Sequence, residues 1–298
     1  MNGGAVVPKS TRLVRRGAAL ALVALGAFSA ARAADDDQAL IEAQSDRVAT
    51  AVARMAQQQP GVTDVYFIGF AGHGGQQVFR KEATFARDAF AQRYGNHGRS
   101  LLLINDERDR QSYPLATRTN LRHALRLLGA RMDPAEDILL LVLTSHGSAK
   151  GGLEVSNGDL PLAMLRPSDL RKALADAGIR WRVVIASACF AGVFIPPLRD
   201  ASTLIVTAAD ARHSSFGCED DRELTWFGEA FLRDALPGAA SLEDAFLAAR
   251  RIVERRERAE RAERSRPQMH VGRDIRKKLL ALEASRPAAR PGSAAQVD

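Results

Sequence analysis

The chain is poor in cysteine, tyrosine and tryptophan, with two, three and two of them among 298 residues. Two cysteines allow a single disulfide and exclude a disulfide framework. Histidine, cysteine and acidic residues do not cluster at metal-ligand spacing. The glycine-rich stretch Gly72-His73-Gly74-Gly75 lacks both the Lys-Ser/Thr of a phosphate loop and the dinucleotide-binding spacing. No metal and no cofactor is therefore expected, and there is no internal repeat. Basic residues outnumber acidic ones, 42 to 35, for a formal charge of +7. The arginines are scattered through helices or gathered near the C-terminus rather than interleaved with aromatics, so no nucleic-acid partner is expected. What remains is ordinary globular composition, 46% apolar and 26% charged, enough for a sizeable core.

Near the N-terminus, Lys9, Arg12, Arg15 and Arg16 precede an uninterrupted small-and-apolar run over residues 17–30, followed by Ala31-Arg32-Ala33 and Asp35-Asp36-Asp37. The run fits the roughly 7–15 residues of a signal-peptide core and falls short of the roughly 20 that cross a bilayer. Residues 1–33 read as a signal peptide cleaved after Ala33, which places the protein outside the cytoplasm, secreted or periplasmic. Left uncleaved, the same segment is an N-terminal membrane anchor.

Beyond it, apolar residues at Leu40, Ile41, Val48, Val52 and Met55 have helical spacing, and residues 34–60 read as a covering helix. Strands are expected at residues 65–70, 100–104, 138–143, 183–185 and 203–207. Helices are expected at 78–94, closed by Gly95, at a segment capped by Thr117 or Thr119 and running to Leu128, and at 167–178, capped by Ser168. Residues 152–159 resemble a hairpin. Two further helices, 225–236 and 241 to about 264, follow a polar loop at 210–223. The alternation makes residues 61–240 one α/β domain, a mainly parallel sheet with helices on both faces, an α/β/α sandwich. Residues 241–286 read as a charged helical region and 287–298 as a disordered tail.

Two of the strands carry chemistry at their ends. Residues 138–143 pass through Thr144 and Ser145 into His146-Gly147, and residues 183–185 pass through Ala186, Ser187 and Ala188 into Cys189. With a helix between them, the strands form a right-handed crossover, are parallel, and deliver His146 and Cys189 to the same carboxyl-terminal edge of the sheet. Open α/β sheets keep their ligands at that edge. A thiol beside an imidazole can lose its proton and become a nucleophile. The glycine after the histidine frees a backbone N–H that, with that of Cys189, can form an oxyanion hole. A disulfide between Cys189 and Cys218 is the competing use of the two cysteines.

These motifs, His146-Gly147-Ser148, Ala188-Cys189 with Gly192, and the segment from Thr207-Ala208-Ala209 through Ser214-Ser215 to Thr225 and Gly228, resemble the legumain (asparaginyl endopeptidase) family of cysteine peptidases, and more distantly the caspases. The resemblance covers residues 65–236, and the His-to-Cys interval is close to the roughly 50 residues of caspases. It implies a caspase-like fold, a His146–Cys189 dyad, a peptide or protein substrate and hydrolysis through an acyl-enzyme, with cleavage after Asn. By position it implies a pocket drawing on Arg80, Ser187, Ser214 and Glu229. Three departures stand out: Gly74, beside His73, where the family has an Asn that orients the histidine, Ser187 in place of an acid, and Ser145 in place of another. They favour one alternative, an inactive binding or scaffold protein of the same fold; a second, a transpeptidase, shares every sequence feature of the hydrolase.

Overall fold

The computed structural model describes residues 42–285, together with residues 1, 3 and 40. The signal-peptide segment and the tail from residue 286 lie outside the described residues. No helix among the described residues is long and apolar enough to cross a membrane.

Five strands, β1 (Val65–Ala71), β2 (Ser100–Ile104), β3 (Ile138–Thr144), β6 (Trp181–Ser187) and β7 (Thr203–Thr207), are parallel. An eighth strand in chain order, β8 (Gln268–Val271), closes one side antiparallel to β7. The order across the sheet is β2-β1-β3-β6-β7-β8. A small hairpin, β4 (Gly147–Ser148) with β5 (Gly152–Leu153), stands apart from it.

The apolar runs of the sequence become strands because both faces of the sheet are covered, as is usual for parallel sheets. Period-two alternation sorts their side chains. Val65 and Phe67 of β1, Ile138, Leu140 and Val142 of β3, and Val183 and Ile185 of β6 point to one face. Tyr66, Ile68 and Phe70, Leu139, Leu141 and Leu143, and Val184 and Ala186 point to the other.

The first face is covered by α2 (Gln77–Tyr94), α6 (Trp226–Gly228) with the π-helical turn that continues it (Glu229–Ala235), α7 (Leu242–Ala259) and α8 (Arg273–Ala284). The second is covered by α1 (Gln44–Ala53), which buries Val48 and Val52, by α3 (Arg118–Gly129), α4 (Pro167–Asp176) and the short α5 (Ile195–Leu198). Each buried aliphatic or aromatic side chain contributes roughly 1.5–3 kcal/mol. The α/β/α sandwich read from the sequence is the observed architecture.

Local signals hold at several ends and fail at others. Gly95 ends α2 in the left-handed region (φ 66°), with its N–H on the carbonyl of Ala91, and Thr117 caps α3 by accepting from the N–H of Asn120. Ser168 does not cap α4. The cap is Arg166, because Pro167 takes the first helical position, where its missing N–H costs nothing. The hairpin lies at residues 147–153, earlier than expected, turning at Gly151. The region 241–286 is not helix throughout, since β8 interrupts it.

Candidate active site at the sheet edge

The chain leaves β1 for β2 on one side and returns to β3 on the other. The loops after β1 and β3 therefore diverge, and a crevice opens at their carboxyl ends. Into it come His73 from the loop after β1 and His146 from the loop after β3, with ring centroids 4.7 Å apart and planes nearly perpendicular. Cys189 arrives from the next strand. Thr144 and Ser187 are register partners, so His146 and Cys189 each stand two residues beyond a paired position.

His146 is held on several sides. Its Nε2 meets the side-chain oxygen of Gln76 at 2.5 Å, Phe79 packs edge-on at 5.0 Å, and its carbonyl accepts from the N–H of Glu154 at 2.9 Å. Ser145, where the family has an acid, donates its hydroxyl to the carbonyl of Glu154. With Gln76 as acceptor, the ring proton sits on Nε2 and the Nδ1 lone pair is left to take a proton. Burial pushes the His146 pKa below its ordinary 6.5, the neighbouring His73 pushes it further down, and Glu154 partly opposes both. A neutral imidazole is the form a base requires.

Cys189 is held by the loop after β7. Its Sγ accepts from the N–H of Ser215 at 3.3 Å and lies 3.4 Å from the Ser215 carbonyl. The next residue, Phe190, is in the left-handed region (φ 56°) and donates its N–H to the carbonyl of His213 at 2.9 Å. Such a backbone costs a bulky residue roughly 1–3 kcal/mol and turns the chain sharply before the short helical turns that follow. Gly192 permits the same loop to approach: a Cβ there would lie 2.5 Å from the N of Ala211. Gly147 sits even closer to the thiol-bearing residue, since a Cβ would come within 1.6 Å of the Cys189 carbonyl oxygen. This backbone contact is a stronger reason for glycine than the freeing of an N–H.

The residues expected to form a pocket are dispersed. Ser187 is buried and shares a hydrogen bond of 3.0 Å with the Thr225 hydroxyl. Ser214 lies between His213 and Ser215, the two residues that anchor Phe190 and Cys189. Arg80 pairs with the buried Asp106 at 2.9 Å. Glu229 is engaged by Arg222, Arg233 and Arg256. Its burial acts to raise its pKa, but the guanidinium groups outweigh that and hold the carboxyl below the usual range. Arg80 and Glu229, which the resemblance puts in one pocket, each face other partners.

Three residues escaped the sequence reading. Gln76 meets His146 only through the fold. Asp106 fixes Arg80. Glu82 is fully buried and accepts from the N–H of Thr225 at 2.8 Å, which supports the Thr225–Ser187 pair beneath the nucleophile strand. The Gln76, Phe79 and Glu82 spacing, one per helical turn from the start of α2, was the available signal. Cys218 is a free thiol, as is Cys189. Burial, and then the charge of a Cys189 thiolate, push its pKa up to about 11.

No curated protein matches the sequence. The Peptidase C13 family model matches residues 129–277, a span that contains β3, His146, β6, Cys189 and the loop that holds the thiol. The chain belongs to the Peptidase C13 family, the legumain family of cysteine peptidases.

Proposed function

We propose that the protein is an exported cysteine endopeptidase in which Cys189 is the nucleophile and His146 the base. The observation that carries this reading is the paired emergence of the two side chains: both stand two residues past register-matched strand ends, with Gly147 against the peptide of Cys189.

The steps follow from the groups in place. Nδ1 of His146 takes the Sγ proton while Gln76 holds Nε2–H. The thiolate adds to the scissile carbonyl, and the N–H groups of Gly147 and Cys189 receive the oxyanion. The imidazolium gives its proton to the leaving amine, and a thioester acyl-enzyme remains. Water, deprotonated by His146, then releases the acid. A neutral, half-buried imidazole supports the first step, and two hydrogen bonds from Ser215 to Sγ support the thiolate.

Cleavage after Asn is the specificity we propose. A side-chain amide carries a donor and an acceptor. Arg80, about a third exposed and fixed by Asp106, offers donors, and the half-buried hydroxyl of Ser214, in the loop that holds the thiol, offers an acceptor. Glu229 contributes by holding Arg222 and Arg256 rather than by meeting substrate. A site built to hydrogen-bond an amide rejects isosteres lacking it, by about 10⁴ when fully formed. Peptides scanned at P1, with cleavage sites and trapped acyl-enzyme read by mass spectrometry, should show cutting after Asn and a thioester on Cys189. Leu, Lys or Arg outcompeting Asn would overturn the specificity, and turnover with no adduct on Cys189 would overturn the mechanism.

A further inference from the structure

A second site lies at the far side of the sheet. Between α5, α7 and β8 runs an open groove of about 800 Å³. Strand β8 is terminal in the sheet, so one of its sides has no partner strand. Which peptide groups face that side follows from the register. Gly272 donates its N–H to Thr203, and hydrogen-bonded pairs alternate along an antiparallel ladder. The pairs Ile205–His270 and Thr207–Gln268 are then the bonded ones, and Met269 and Val271 turn their N–H and C=O groups outward.

Cationic groups outnumber acidic ones on the walls. Arg199, Arg264 and Arg266 line the groove, are exposed, and make no ion pair among the described residues. Arg250 is paired with Glu254. Phe246 and the exposed Leu247 provide an apolar wall on one face of the edge, and Ile195 provides one on the other. Glu257, buried beneath the wall, accepts from Ser265 with one carboxylate oxygen, and its other oxygen has no partner among the described residues. An unpaired strand edge and three free guanidinium groups together describe the complement of an extended peptide with acidic side chains.

We propose that the β8 edge and its arginine-rimmed groove form a binding site for an extended acidic segment of a partner protein, which adds to the sheet as a further strand. The main-chain groups of Met269 and Val271 supply the pairing, and the arginines select the charge. A second copy of this chain fits poorly, because it would bring the same uncompensated arginines against one another on a chain of net charge +7. The site lies at the opposite margin of the sheet from β2 and makes no use of the thiol.

The test uses the full chain and three labelled ten-residue peptides without Asn: alternating Glu and Val, alternating Lys and Val, and the Glu/Val peptide with two central prolines. Fluorescence anisotropy should show the Glu/Val peptide binding at least tenfold tighter than either of the others. Arg264→Glu with Arg266→Glu should weaken it at least tenfold while circular dichroism and peptidase activity stay as in wild type. Hydrogen exchange should slow at residues 268–271 when the peptide is bound. Equal binding of the proline-containing peptide would overturn strand addition and leave only attraction of a polyanion. So would unchanged exchange at 268–271. Protection that grows with protein concentration in the absence of peptide would assign the edge to a second copy instead.

Discussion

Gly147 lies with its Cα against the peptide of Cys189, so close that a Cβ would come within 1.6 Å of the Cys189 carbonyl oxygen. The contact joins the loop that carries the imidazole to the residue that carries the thiol. Because the obstacle is backbone, no rotamer change relieves it. Gly147→Ala should therefore shift the two loops apart, cost roughly 1–3 kcal/mol of stability and lower kcat/KM by about 10²-fold. Gly238→Ala, at a position with open space around it, should do neither. Steady-state kinetics and denaturant unfolding of the two variants test this. A fully active Gly147→Ala would refute it.

The depressed pKa of His146 sets the acidic limb of activity. Burial is its main cause and His73 the next, while Glu154 opposes them. The neutral base persists below pH 6.5, so kcat/KM should fall only at lower pH. His73→Ala removes a lowering influence and should move the limb up. Glu154→Gln removes a raising one and should move it down. The same shift makes His146 a stabilising group above pH 6.5 whose contribution is lost as pH falls through its folded value. Limbs that move in the same direction, or not at all, would contradict the assignment.

The sequence carried the parallel sheet well because each central strand is a continuous apolar run long enough to be buried on both faces. It carried the His146 and Cys189 positions for the same reason, since those runs end in polar residues. β8 was not legible: Gln268-Met269-His270-Val271 is short, only partly buried and preceded by an arginine-rich helix, so neither periodicity nor composition marks it. Gln76, Asp106 and Glu82 were hidden because their partners, His146, Arg80 and Thr225, are distant in sequence and meet them only through the fold. The family resemblance puts Arg80 and Glu229 in one pocket, but resemblance carries no information on the local arginines Arg222, Arg233 and Arg256, which engage Glu229.

Glu82 holds the Thr225 N–H in a fully buried setting, and its other oxygen has no partner among the described residues. Glu82→Ala would orphan that N–H and should destabilise the fold by about 1–3 kcal/mol. Glu82→Gln keeps a carbonyl acceptor at that place and should cost less. Urea denaturation distinguishes them, and a neutral Glu82→Ala would show that the bond contributes nothing.

The two thiols should differ in reactivity. With its pKa raised to about 11, Cys218 is thiolate in only on the order of one molecule in 10³ at pH 8. Brief iodoacetamide treatment should label Cys189 first, and peptide mapping would show it. Preferential labelling of Cys218 would mean that the chemistry lies elsewhere.

The central claim is that His146 and Cys189 act as one unit, and a double-mutant comparison of kcat/KM tests it most directly. Cys189→Ala, His146→Ala and the double variant, all folded by circular dichroism, should lose activity to about the same extent, because removing either member disables the other. Losses in the two single variants that simply add in the double variant, or a Cys189→Ala protein that keeps near-full activity, would contradict it.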